Sequence, residues 1–133
     1  MPWQNKKDLE MNGTKYLFDT NALISFLQGN PNLQNFSTPF VYLSVISVVE
    51  FLSFSGLYQE EKDLLDEFIK NVEIIDLNNS NATLTDIIIN LRHSYKIKLP
   101  DAIIAGTAIY KNAVLITNDK DFARIDSLST QTY

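Results

Sequence analysis

Four carboxylic acids stand where the sequence allows side chains to meet. Asp19 ends the apolar run Tyr16-Leu17-Phe18, and Asp119 follows the apolar run Ala113 to Ile116. Glu50 lies on an otherwise apolar helical stretch, between Val49 and Phe51. Asp101 follows Pro100 at the start of a segment that is apolar almost all round. Carboxylates brought together repel one another, and they stay ionised cheaply only with a cation between them. Oxygen-only donors select hard ions, so Mg²⁺ or Mn²⁺ is the expected filler. Such a site activates water and stabilises the charge that develops on a phosphodiester. Cysteine is absent, which excludes disulfides, zinc–thiolate centres and thiol catalysis. The single histidine, His93, lies outside the acidic set.

Each acid also has a structural explanation. Asp19 suits a helix N-cap. Ser47-Val48-Val49-Glu50 fits a capping box. Asp101 complements a helix dipole, and Asn118-Asp119 suits a turn. Taken one at a time, these explanations suffice. The four acids together, in this order along an alternating chain, favour a shared site.

The elements that must position them follow from hydrophobic spacing. Tyr16–Phe18 is short and apolar, as a buried strand should be. After Asp19-Thr20-Asn21, Ala22, Leu23, Phe26 and Leu27 recur at helical spacing until Gly29-Asn30-Pro31 stops the helix. A second strand is expected over Phe40–Leu43. A helix opened by Ser44 or Ser47 then runs to near Gly56. An amphipathic helix over Gln59–Asn71 comes next, then a strand over Val72–Leu77. Leu84, Ile87, Ile88, Leu91 and Tyr95 mark the next helix. Pro100 suits the first turn of a buried helix that reaches Tyr110. Ala113–Ile116 reads as a fourth strand, and Leu128–Thr132 as a short fifth. The alternation implies an α/β fold with a mostly parallel sheet of four to five strands and helices on both faces. In such sheets ligands bind beyond the carboxyl ends of the strands, where Asp19 and Asp119 fall.

The 133 residues suit one domain, expected over 15–133, with residues 1–14 as a flexible polar arm. No run approaches a membrane span, and the first residues lack a signal-peptide core, so a cytoplasmic protein is expected. The net charge of −5 argues against a binder that relies on bulk positive charge. The charge is uneven, however. Glu60 to Asp76 holds seven acids and two bases, whereas Arg92 to Arg124 holds six bases and three acids. Arg92, Lys96, Lys98 and Lys120 are therefore weak candidates for contact with phosphates, against the usual role of solvated surface charges.

The segments YLFDTNALISFL (16–27), SVVEFL (47–52), LPDAIIAGTAI (99–109) and VLITNDKDF (114–122) resemble, in order, the motifs of PIN-domain ribonucleases. At this length the chain looks like the VapC toxins of bacterial type II toxin–antitoxin pairs. The resemblance implies a PIN-like fold and a Mg²⁺- or Mn²⁺-dependent endoribonuclease. Its acidic catalytic and metal ligands would be Asp19, Glu50, Asp101 and Asp119. Asn21, Ser47, Thr117 and Asn118 match the polar residues beside them, and Asp121 a further acid found in some members. The resemblance also implies an RNA substrate, a cognate antitoxin and a homodimer. Gly106 stands where alanine is commoner. Two alternatives are a receiver-like Mg²⁺-binding signalling domain and a PIN domain that binds RNA or protein without catalysis. A receiver would want paired acids at the first strand and an acceptor such as Asp76 ending the third.

Overall fold

The computed structural model describes residues 13–36 and 40–133, so the arm expected over 1–14 lies almost wholly outside the described residues. Among these residues five parallel strands form one sheet. β1 (Tyr16–Phe18) is followed by α1 (Thr20–Leu27), β2 (Val41–Ser44), α2 (Val45–Leu52) and α3 (Gln59–Ile69). Then come β3 (Glu73–Ile75), α4 (Ala82–Tyr95), α5 (Leu99–Tyr110), β4 (Val114–Ile116), a 3₁₀ turn (Lys120–Arg124) and β5 (Thr130–Gln131). The spatial order is β3-β2-β1-β4-β5. The chain leaves β1 in one direction and returns on its other side, so the topological switch lies between β1 and β4.

Side-chain alternation divides the core in two. Leu17 and Leu115 face one side, where Ile88, Leu91, Ala102 and Ala105 of α4 and α5 cover them. Phe18, Leu43 and Ile116 face the other, against Ala22, Leu23, Leu65 and Phe68 of α1 and α3. Leu17 and Phe18 are fully buried, so β1 is covered on both faces and its unbroken apolar run is explained.

Several boundaries differ from the sequence reading. α2 starts at Val45, with Ser44 as its N-cap accepting from the Ile46 N–H at 3.2 Å. The capping box expected of Ser47 and Glu50 is therefore not formed. Ser47 lies inside the helix, fully buried, and Glu50 sits in its last turn. The helix ends at Leu52, short of Gly56, whereas Pro100 lies in the first turn of α5 as expected, with Leu99 before it. The third and fifth strands are shorter than expected, because only Glu73–Ile75 and Thr130–Gln131 find partners.

α4 and α5 form the main helix–helix contact. Gly106 makes it possible: a Cβ there would lie 2.8 Å from Ile88 Cγ1. No helix among the described residues is long and apolar enough to cross a membrane.

Candidate active site

Parallel pairing sets the three loops that carry the polar residues side by side. Phe18 is level with Leu43 on one side and Ile116 on the other. The next residues, Asp19, Ser44 and Thr117, emerge together at the carboxyl edge. The Asp19 N–H still bonds the Ile116 carbonyl at 3.2 Å, which locks the start of the loop to β4.

Asp19 is only 5% exposed, and both its oxygens have partners. Oδ1 accepts from the Ala22 N–H at 2.7 Å, capping α1, and Oδ2 accepts from the buried Thr117 hydroxyl. Thr117 Oγ1 accepts in turn from the Asp119 N–H at 3.0 Å. Asp119 Oδ1 accepts from the Asp121 N–H at 2.9 Å, which starts the 3₁₀ turn.

Glu50 is held from α1. The Thr20 hydroxyl donates to Glu50 Oε1 at 2.6 Å and lies 3.2 Å from Ser47 Oγ. With the Thr20 proton on Glu50, the buried Ser47 hydroxyl is free to donate to Thr20. Ser47, Thr20 and Glu50 thus form a short chain ending on a carboxylate. Asp101 enters from the first turn of α5, where Pro100 occupies a position whose N–H has no helical partner.

Asp19, Glu50, Asp101 and Asp119 line one cavity of about 440 Å³, with Asn21 at its rim. Burial pushes the Asp19 carboxyl above its ordinary pKa. The Thr117 and Ala22 hydrogen bonds oppose that rise, while the charges of Asp119 and Glu50 add to it. Asp101 is raised too, by burial first and then by Asp119 and Glu50, with Lys98 opposing. The charges of Asp119 and Glu50 therefore reach both Asp19 and Asp101 across one cleft. Among the described residues, no three acidic or histidine side chains are arranged ready to hold a metal ion. The donor set itself suits a hard divalent cation: four carboxylates, no sulfur and no imidazole.

The other expected residues divide. Ser47 and Thr117 support the acids from behind. Asp121 is exposed, yet its charge reaches Asp101. Asn118 points away from the cavity and binds the backbone of Tyr133. Lys98 is close enough to act on Asp101, whereas Arg92 lines a separate hollow with Ile89, His93 and Leu99. Lys96 caps the end of α4 and Lys120 opens the 3₁₀ turn; both are exposed. Sequence reasoning overlooked Thr20, whose position beside Asp19 was its only signal. It also overlooked Val49, Ser53, Phe54, Ile104 and Phe122, which form the rest of the cavity wall. Asp76, the acceptor a receiver domain would need, follows the edge strand β3 and is not among the cavity residues.

The comparisons with known proteins agree with this fold. No match is found among curated proteins. A toxin–antitoxin complex from Klebsiella pneumoniae contains a chain 30% identical to this one. The match covers 87% of this chain and 97% of that one, with a TM-score of 0.71. VapBC2 from Rickettsia felis, bound to a DNA fragment from its promoter, matches at 26% identity over 90% and 99% of the two chains, with a TM-score of 0.71. DNA-bound VapBC from Salmonella typhimurium shares the fold at 22% identity and a TM-score of 0.68, over 90% and 98% of the chains. The PIN domain family model matches residues 16–128, from the first residue of β1 to just before β5. The α/β sheet, the acid-lined switch point and this match together establish that the chain belongs to the PIN domain family.

Proposed function

We propose that this chain is a divalent-metal-dependent endoribonuclease acting as the toxin of a toxin–antitoxin pair. The observation that carries the reading is the convergence of Asp19, Glu50, Asp101 and Asp119 on one cleft at the carboxyl edge of the sheet. Asp19, Asp101 and Asp119, with Glu50, would hold Mg²⁺ or Mn²⁺, which supplies Lewis acidity at the phosphate and lowers the pKa of attacking water.

The chain's own groups divide the remaining work. Asp19 is fixed by Ala22 and Thr117, so its direction does not depend on substrate. Thr20 holds Glu50 on the far wall. Asp101, less buried than Asp19, adds its carboxylate from the first turn of α5. Lys98 stands near Asp101 and can meet the RNA backbone at the rim.

The antitoxin reading rests on the likeness to the Klebsiella and Rickettsia complexes. Beside the cleft, Ile24, Leu27, Phe51, Tyr58 and Leu64 line a groove of about 330 Å³, which offers a protein partner apolar surface. A basic side chain from that partner, an arginine above all, would neutralise the carboxylates in place of the metal. Homodimer formation and a cytoplasmic location belong to the same proposal.

The test is cleavage of structured RNA with Mn²⁺ or Mg²⁺ by the parent, Asp19→Asn and Asp101→Asn. Each variant should lose at least ~100-fold in rate while remaining folded, because an amide binds a hard cation far less well than a carboxylate. Cleavage at the parental rate by either one would remove that residue from the site. Binding of RNA by the parent with no metal-dependent cleavage would instead favour the non-catalytic alternative.

A further inference from the structure

The pairing of β4 with β5 does not stop where the strands end. The Leu115 N–H bonds the Ser129 carbonyl at 2.9 Å, and the Thr117 N–H bonds the Gln131 carbonyl at 3.0 Å. One residue further, a side chain continues the ladder. Asn118 Nδ2 donates to the Tyr133 main-chain oxygen at 3.1 Å, and the Tyr133 N–H donates to Asn118 Oδ1 at 2.9 Å. A carboxamide presents a donor and an acceptor in one plane, as a peptide does, so it can stand in for the next rung.

Tyr133 reaches back to the other motif. Its side chain packs on the cluster that contains Phe18, Ala22 and Leu23, with Ser25 of α1 and the Asp19 carboxylate near its phenol. Asp19 caps the same helix through the Ala22 N–H. The contacts therefore close a ring, from Asp19 along α1 to Tyr133, across to Asn118 and Thr117, and back to Asp19.

We infer that Asn118 and Tyr133 are positioning residues, whose clasp holds the Asp119 loop against the Asp19 loop. Resting on the reading of Asp19 and Asp119 as ligands of one metal, the inference says what keeps those two charges together. Asp119 is exposed and repelled by Asp19. From inside the site, the Thr117 hydroxyl on Asp19 and the Asp19 N–H on the Ile116 carbonyl tie the two loops at their bases. The clasp supplies the outer tie. It also accounts for an asparagine in the fourth motif whose side chain points away from the cleft.

The variants are Asn118→Ala, Tyr133→Ala, the double variant and the milder Tyr133→Phe, which keeps the ring and loses only the hydroxyl. Mn²⁺ affinity is measured by calorimetry on folded protein. Asn118→Ala and Tyr133→Ala should each bind Mn²⁺ about tenfold more weakly, in line with groups that orient metal ligands from behind. The double variant should be no weaker than the worse single one, because both break the same ring. Tyr133→Phe should show a smaller loss in the same direction, and cleavage at saturating Mn²⁺ should stay within about twofold of the parent. In chelator, amide hydrogen exchange at Asp119 and Ala22 should quicken in Asn118→Ala and Tyr133→Ala. Parental Mn²⁺ affinity and parental exchange in the clasp variants, with Asp19→Asn binding no Mn²⁺, would overturn the clasp and leave the metal site standing. Faster exchange in a protein whose parent form binds no Mn²⁺ would uphold the clasp and overturn the metal reading. Loss of RNA affinity in Asn118→Ala alone, with Tyr133→Ala at the parental level, would make Asn118 a substrate contact and overturn the proposal.

Discussion

At the scale of single residues, the site is set by which oxygens are already occupied. Asp19 has partners on both oxygens, so its substitutions should separate structure from chemistry. Asparagine can still cap α1 through its side-chain oxygen, whereas alanine cannot. Asp19→Ala should therefore melt lower than Asp19→Asn, the difference corresponding to about 1 kcal/mol, while both fail to cleave RNA. Thr20 gives a second residue-level prediction. Thr20→Val keeps the shape and removes the bond that restrains Glu50. Cleavage should fall by about tenfold, with Thr20→Ser recovering most of it, since orienting partners carry effects of that order. Equal activity in Thr20→Val would mean that Glu50 needs no such restraint.

The pH dependence also belongs to this scale. Asp19 and Asp101 have folded-state pKa values above their ordinary ones, so the folded protein holds these protons more tightly than the unfolded chain. Their contribution to stability is complete below the unfolded value of about 3.9 and is lost as pH rises through the raised folded values. In chelator, melting temperature should rise as pH falls from neutral towards those folded values, until other groups titrate. With saturating Mn²⁺ the trend should reverse, because protons and metal compete for the same oxygens. Thermal melts across mildly acidic to neutral pH, in chelator and in Mn²⁺, check both signs.

At the scale of elements, the packing of α4 on α5 decides where Asp101 stands. Seven consecutive residues of α5, Ala102 to Ala108, are buried, and Gly106 is where α4 comes closest. An alanine or glycine reads as equivalent from composition; the 2.8 Å approach of Ile88 Cγ1 shows that they are not. Gly106→Val adds a branched side chain where even a Cβ has no room. It should destabilise by about 2 kcal/mol, as overpacking of cores does. Ile88→Ala combined with it should recover part of the loss, since the two changes share one space. Chemical denaturation of the four proteins measures the coupling, and strict additivity would mean that the crowding lies elsewhere.

At the scale of the whole molecule, the acidic cleft links stability to ligand. A divalent ion that binds the folded site and not the dispersed unfolded acids stabilises by mass action, by about 2.7 kcal/mol at a hundredfold excess over its dissociation constant. Asp119→Asn removes one repelling charge. It should leave the metal-free protein as stable as the parent or more so, shrink the Mn²⁺-induced rise in melting temperature, and abolish cleavage. A parent melting temperature indifferent to Mn²⁺ at concentrations that support cleavage would dissolve the shared site. In bacteria, the chain produced alone should slow growth, and its antitoxin produced with it should restore growth. Inhibition that persists in Asp19→Asn would point to another cause of toxicity.

The sequence by itself determined the class of fold and picked out the four acids that line the cleft. Short apolar runs separated by helical spacing specify a parallel sheet covered on both faces, because only doubly buried strands are apolar at every position. The four acids were legible because a charged residue at a strand end or inside an apolar helix costs energy that needs a reason. Helix starts were less legible. Ser44 and Ser47 are both good caps, and the parallel register that puts Ser44 level with Ile75 is a nonlocal fact. The tertiary structure alone decided which hydroxyl serves which acid. Thr20 and Glu50 are 30 residues apart, and Asp19 and Thr117 are 98 apart. It alone turned Asn118 outward to Tyr133, and it alone showed why position 106 is glycine. Those relations depend on distances between segments that meet only after the sheet has formed, and no local pattern of residue types encodes them.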